Sequence, residues 1–385
     1  MTGTSAHAVA GWRVAHTVSY ENDTDLVAVV PLGTSDAWAF GAKDAAFQTG
    51  PLAVHWNGRG WSEVPLPAAI PGEEPGMVTA ADGSAPGNVW AAGDRDGQDP
   101  YALRWDGAAW TVAKTWPGEG QITGLTAFSP TDVWVFGASG ANVGLGTWHF
   151  DGHDWTRIDP GFEPAAASAV SPDDMWAVGR STSGDSRSLG HYDGSHWNLV
   201  DLGDLLPPDI NTDTLQQNAY FTDATAVASD DVWVAGYLDR TENAAFTRTV
   251  FLLHWNGHAW RKLNGPDVKD WTPRRGMDFD GRGGLWIPGS VIPSGDLPAT
   301  PLLMHVSATG TWSATNIVGG RGRLPFVDDI ALLPGTRSAL SVGALSTIDQ
   351  SAADGAIYAY GAAPADDQLR QRPRPGSAID DGDGR

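Results

Sequence analysis

The stretch "HWNGHAW" at residues 254–260 places two imidazoles and two indoles within seven positions. Imidazoles at that density could bind a metal or pass a proton, and indoles could stack on a sugar ring. A second group of residues is charged: Asp223, Arg275, Asp278 and Asp328, with Asp25, Arg274 and Asp329 close to equivalent positions. Carboxylates flanking a guanidinium could move protons or hold a carboxylated ligand. Trp116, Tyr220 and Trp271 are aromatics that could stack on a ligand. Which of these does chemistry depends on the elements that carry them.

Recurrence decides the first case. Variants of "HWNGHAW" stand at 55–61 ("HWNGRGW"), 104–110 ("RWDGAAW"), 149–155 ("HFDGHDW") and 191–197 ("HYDGSHW"), with a degraded copy, "HVSATGTW", at 305–312. Between them runs a second motif: "SDAWAFG" (35–41), "GNVWAAG" (87–93), "TDVWVFG" (131–137), "DDMWAVG" (173–179), "DDVWVAG" (230–236) and "GGLWIPG" (283–289). The two alternate strictly, and a fixed period of this kind signals a repeat architecture. Each unit reads as four short strands. Strand a is a small-residue apolar run, strand b carries the first tryptophan, and strand c ends in His/Arg-aromatic. Asn-Gly or Asp-Gly then turns the chain into strand d, because glycine supplies the positive φ that such hairpins need. Four strands per repeat predict a β-propeller blade.

A seventh unit lacks the tryptophans. "VDDIALLPGTRSALSVGALS" supplies its strands a and b, and "AIYAYGA" (356–362) its strand c. Its strand d is expected from the other end of the chain, where "GWRVAHT" (11–17) matches "GWSEVPL" (60–66). The fold expected is all-β: a single seven-bladed β-propeller of four-stranded blades over 11–362, closed by the N-terminal strand completing the last blade. Closure removes the open sheet edge that invites aggregation. Residues 1–10 are expected to be a flexible N-terminus. Residues 363–385, rich in Pro, Gly and charge, are expected to be a disordered tail.

The units resemble kelch-like repeats and those of the galactose-oxidase central domain, and more closely the Trp-rich propellers of actinobacterial proteomes. The resemblance covers residues 11 to about 362, with the Gly-Gly pair typical of kelch reduced to one Gly. Galactose oxidase chemistry needs a cysteine crosslinked to tyrosine; the chain has no cysteine, so that copper-radical activity is not carried over.

The repeating tryptophans are expected to fill the wedges between blades. The strand-c histidines His55, His149, His191, His254 and His305 share one register, which argues for a shared structural hydrogen bond over a metal ligand. His153, His196 and His258 fall in the turns and are expected to be solvated. The a–b and c–d turns are short and alike, whereas the opposite face carries varied loops, the kind of place where binding specificity resides. Strand a lines the central channel of a propeller. Gly124 and Ala166 are expected to align there with Asp223, Arg275, Asp328 and Asp25, giving a charged arc at one side of the mouth. The longest insert, 200–224, and "GPDVKDWTPRRG" (265–276) are expected as loops beside it, bearing Tyr220 and Trp271, while Trp116 lies on another d–a connection, "KTWPGEGQ" (114–121).

Charge narrows the partners. Lys+Arg total 24 against 46 for Asp+Glu, a formal net charge of −22, which repels nucleic acid and anionic membrane surfaces. No stretch reaches the length of apolar residues a membrane span needs, and the N-terminus lacks a signal-peptide pattern, so a cytoplasmic monomer is expected. No G-x-S-x-G, H-E-x-x-H or P-loop is present, and "DFDGRGG" (278–284) lacks the closing Glu of a calcium loop. No metal and no cofactor is implied. Three functions stay open: a non-enzymatic scaffold binding a protein, peptide or small polar ligand; an enzyme of specialised metabolism (lyase, hydrolase or cyclase) with acid/base residues at the channel mouth; and a glycan-binding lectin.

Overall fold

The computed structural model describes residues 11–44, 49–68, 70, 76–118, 120–138, 144–181, 187–292, 298–317 and 319–365, and counts below refer to these. The expected N-terminal flexible stretch and nearly all of the expected tail lie outside the described residues. The protein is all-β, and its sheets follow the repeat. Repeat 1 pairs Asp25–Gly33, Asp36–Asp44, Thr49–Trp56 and Trp61–Glu63 in that order, all antiparallel. Repeats 2, 3 and 4 repeat this order from Met77, Gln121 and Phe162. In the last sheet Trp12–Val18 pairs with Ala353–Tyr360, so both ends of the folded chain meet in one sheet. Arg13 fastens that junction by donating to the carbonyls of Gly361 (2.8 Å) and Ala363 (3.1 Å).

The first strands of all seven repeats line one central cavity, which makes the molecule a β-propeller. Eight sheets are present, because repeat 6 is divided. Trp271–Pro273, Gly289–Val291 and Thr300–Pro301 form one sheet, and Asp278–Phe279, Leu285–Ile287, Leu303–Val306 and Trp312–Thr315 another. The break falls at Pro288, which has no N–H for the ladder. Its carbonyl still accepts from Arg274 N (2.8 Å), and Leu302 N donates to Gly289 O (2.9 Å), so the two sheets run on in one segment.

Repeat 5 departs from the expected loops. The insert 200–224 is largely ordered strand: Ile210–Asn211 pairs with Leu215–Ala228. Residues 237–250, between the strand-b and strand-c motifs, form a hairpin extension of Asp231–Glu242 and Ala245–Trp255, which stay in register to Glu242 opposite Ala245. Its β-branched and aromatic residues favour continued pairing over a loop. Asn243 and Ala244, both at positive φ, make the tip.

Aromatics hold neighbouring sheets together. Each strand-b tryptophan is buried, from Trp38 at 0 % to Trp286 at 7 % exposure, and all but Trp233 stand against an aromatic of the next repeat. Trp38 lies 5.1 Å from Trp105 and 5.3 Å from Trp110; Trp134 lies 5.0 Å from Tyr192; Trp176 lies 5.7 Å from Trp260. Trp286 meets Trp12 edge-on at 5.7 Å, which draws the N-terminal strand into the same scheme. The strand-c histidines stack on these indoles and reach a carboxylate with Nε2: His254 lies 3.8 Å above Trp233 and 2.8 Å from Asp231 Oδ1. His55, His149, His191 and His305 make the same pair with Asp36, Asp132, Asp174 and Asp280. In the "HWNGHAW" turn, Asn256 Oδ1 accepts from His258 N and Ala259 N, and Gly257 sits at φ 82°. A Cβ at Gly257 would come within 2.7 Å of Asp230 Cβ, so glycine is required there on two counts.

Candidate functional site

The central cavity has a volume of about 640 Å³, and most of its lining comes from the early residues of the a strands, next to the varied d–a connections. That volume lies within the range of small-ligand sites. Its wall can be put in register by the strand-a residue paired with the strand-b tryptophan. This residue is Val30, Asp82, Thr126, Ser168, Thr225 or Asp278, and in repeat 7 Ala331 opposite Leu340. By that count the expected arc does not share one register. Gly124, Ala166 and Asp223 stand two positions before the reference, Arg275 and Asp328 three before, and Asp25 five before.

The reason is a β-bulge. In repeats 1 to 5 the pairing slips by one residue around the third position before the reference, leaving Val27, Thr79, Thr123, Ala165 and Thr222 extra. A bulge kinks its strand and re-aims a side chain. Arg275 and Asp328 hold that position in repeats 6 and 7, so the bulge register is neutral in five repeats and charged in two.

Five aspartates on the wall or next to it accept two backbone N–H bonds each. Asp223 accepts from Ala224 N (2.9 Å) and, across the sheet junction, from Met277 N (2.7 Å). Asp82 joins Gly83 N to Ala127 N, and Asp329 joins Ile330 N to Val29 N. Asp278 accepts from its neighbour Phe279 and from Leu332 N (2.7 Å). Asp94 takes Gly97 N and Ile122 N, both at 2.8 Å. Each ties one repeat to the next. Ser168 does so with one bond from Ala226 N, and Thr123 by donating to Pro164 O. Burial pushes Asp82, Asp223 and Asp278 up to about 6, against the opposing pull of the backbone N–H donors. Burial raises Asp329 well above the usual range, and Asp223 and Asp278 nearby add to it. Asp223, Asp278 and Asp329, read from sequence as site residues, thus spend their hydrogen-bonding capacity on closing the ring. Asp82, Asp94 and Ser168 were missed; the signal that finds them is a polar residue in an otherwise apolar strand a, or at the end of strand b.

Four charged residues at the mouth are left. Arg274 Nη2 pairs with Asp328 Oδ1 at 3.2 Å, with Arg274 about half exposed. Arg275 reaches across the channel and donates from Nη1 to Thr123 O and Ala165 O, both at 3.1 Å. It makes no ion pair among the described residues. Asp25 Oδ1 is buried and has no hydrogen-bond partner. Burial, and then the charge of Asp328, hold the Asp25 carboxyl well above the usual range. Burial likewise raises Asp328, with Arg274 and Arg275 opposing.

The aromatic candidates are placed elsewhere. Trp116 is 8 % exposed, packed between Trp148 (5.8 Å) and the edge of Trp155 (5.4 Å). Trp271 is 1 % exposed, lies in a strand and donates Nε1–H to Leu302 O. Neither has a free face for a ligand, because the sheet junctions need their area. Tyr220 lies within a strand, stacked on Tyr237 at 5.1 Å, and Arg248 covers Tyr237 at 4.1 Å. Among the described residues no three His, Asp or Glu side chains gather as a metal site would require, and no helix is long and apolar enough to cross a membrane.

No family model and no curated protein matches the chain. Solved structures of similar arrangement include an oligogalacturonate lyase of Vibrio parahaemolyticus, with 8 % identity, TM-score 0.49, and 91 % of this chain and 98 % of that one covered. The fucose-specific lectin of Aleuria aurantia has 11 % identity and TM-score 0.42, covering 78 % and 96 %. A glycoside hydrolase (GH74) of Niastella koreensis has 14 % identity and TM-score 0.44, covering 86 % and 65 %. The chain is thus an all-β, Trp-rich protein whose structural neighbours are β-propellers.

Proposed function

We propose that the protein is a seven-bladed propeller, the two sheets of repeat 6 counting as one blade, that binds a small polar ligand at the mouth of its central cavity. The observation that carries this reading is the buried, partnerless Oδ1 of Asp25 on the wall of a cavity large enough for a ligand. A buried polar atom without a partner costs free energy that a bound group can recover. The unpaired side of Arg275 supplies donors at the same mouth. A thermal-melting screen of small polar compounds tests the reading. Compounds that raise the melting temperature should lose their effect in Val27→Phe, which narrows the cavity from the bulge register. If no polar compound stabilises the protein, or if Val27→Phe binds as well as the parent, the reading fails.

A second reading is catalysis by the same residues. Asp25, its carboxyl raised by burial, beside an Asp328 held by Arg274 offers an acid and a base in one site. It predicts chemical turnover of whatever ligand the screen finds, lost in Asp25→Asn while binding to Arg275 persists.

A further inference from the structure

Resting on that reading, we infer that the ligand is a zwitterion, its carboxylate taken by Arg275 with Arg274 and its ammonium by the Asp25–Asp328 pair. The hydrogen bonds divide the mouth into what is spent and what is left. Asp94, Asp223, Asp278 and Asp329 are each satisfied twice by backbone donors and offer a ligand little. Among the charged residues at the mouth, the arginines keep unspent donors. Arg275 uses Nη1 alone, on the carbonyls of Thr123 and Ala165, and its remaining guanidinium edge is free of any carboxylate. Arg274 uses one nitrogen on Asp328. A guanidinium edge fits a carboxylate in a planar, two-point contact.

The unspent acceptor is Asp25 Oδ1, which has no hydrogen-bond partner among the described residues; the carboxyl's backbone bond is from its neighbour Leu26. Asp328 lies beside it, bonded to Arg274 through Oδ1 and 15 % exposed. An ammonium placed there supplies the missing donor and the positive charge that lets both carboxyls ionise. With both carboxyls ionised, as a bound ammonium allows, the two carboxyls and two guanidiniums are balanced, and a ligand with one charge of each sign keeps them so. A plain anion would add to a wall already crowded with aspartate in a protein of net charge −22. A plain cation would leave the Arg275 edge unmet.

Isothermal titration calorimetry of the full chain at pH 7 tests this, with the ω-amino acids from glycine to 6-aminohexanoate as probes. Each is compared with the n-alkanoate and the n-alkylamine of equal length. One amino acid length should bind at least about tenfold more tightly than either single-charge counterpart. Asp25→Asn should weaken the zwitterion about tenfold or more and leave alkanoate binding unchanged. Arg275→Met should remove alkanoate binding; its side chain is exposed, so folding is preserved even if Asp25→Asn proves unstable. The inference falls if alkanoate binds as well as the amino acid, or if no probe binds at concentrations up to about 10 mM. Polar compounds of another class that bind and are excluded by Val27→Phe would sink the zwitterion and keep the cavity reading. Silence in both experiments sinks both.

Discussion

Two regions of the molecule use aspartate in the same way and obtain opposite results. In the outer turns, Asp151 accepts from His153 N and Asp154 N, and Asp193 from Ser195 N and His196 N. On the channel wall, Asp223 and Asp82 also accept two backbone N–H bonds each. The bonds pull the turn carboxyls below the usual range, whereas burial lifts the wall carboxyls to about 6. Hydrogen bonding is alike in the two places, and solvation decides the sign. The turn aspartates shape one hairpin each, while the wall aspartates join separate repeats. Asp25 belongs to neither set, since its Oδ1 meets no donor at all.

The largest expected effect follows from removing a wall carboxylate. Asp223→Ala leaves the N–H groups of Ala224 and Met277 buried without an acceptor, a loss of about 2 to 5 kcal/mol in urea unfolding. Asp193→Ala exposes its two N–H groups to water and should cost much less. Equal losses would abolish the distinction. Asp25→Asn removes a buried carboxyl that bonds no other repeat, so stability should hold or rise. A loss as large as that of Asp223→Ala would place Asp25 among the ring-closing residues and remove it from the site.

The pH dependence comes next in size. A wall carboxyl with a folded value near 6 binds its proton more tightly folded than unfolded. Stability therefore falls as pH rises from about 4 to about 6, by on the order of 1 to 3 kcal/mol per group, and is level above. The turn aspartates, held below the usual range, contribute stability that is lost as pH falls through their folded values. Melting temperature should thus be higher at pH 5 than at pH 7 and fall again below about pH 4. A curve that rises steadily from pH 4 to pH 7 would show that the wall carboxyls are solvated. Asp82→Asn should flatten the alkaline limb of the curve.

The alternating tryptophan motifs made the sheets legible in sequence, because each motif carries its own turn glycine and inter-sheet aromatic. The cavity wall was legible in composition but not in register. A bulge adds one residue without changing residue types, so Asp223 and Arg275 looked equivalent although they stand one position apart. Nor does the letter D separate Asp223, tied to Met277 N, from Asp25, tied to no other repeat; the distinction depends on which backbone the next repeat presents. Trp116 and Trp271 were misleading for a related reason. They fall outside the repeat frame, yet the junctions they fill needed buried area all the same.

The smallest effect lies at His254, where the strand meets its turn. Arg261 donates to His254 Nδ1 from Nε (3.2 Å) and Nη2 (3.0 Å), so Nδ1 must be the acceptor nitrogen. The ring proton is then on Nε2 and points to Asp231 Oδ1, the bond all five strand-c histidines share. Burial holds the imidazole below its ordinary value, with Arg261 acting the same way and Asp231 opposing. Nitrogen NMR should find the Nε2–H tautomer at pH 7, still neutral where an exposed histidine is half protonated. Arg261→Ala should raise the titration midpoint and leave the melting temperature nearly unchanged, since Arg261 is exposed and acts mainly through charge. The opposite tautomer, with Nδ1 protonated, would break the hydrogen-bonded pair on which the repeat's structural role for histidine rests. It would also return His254 to the residues available for chemistry.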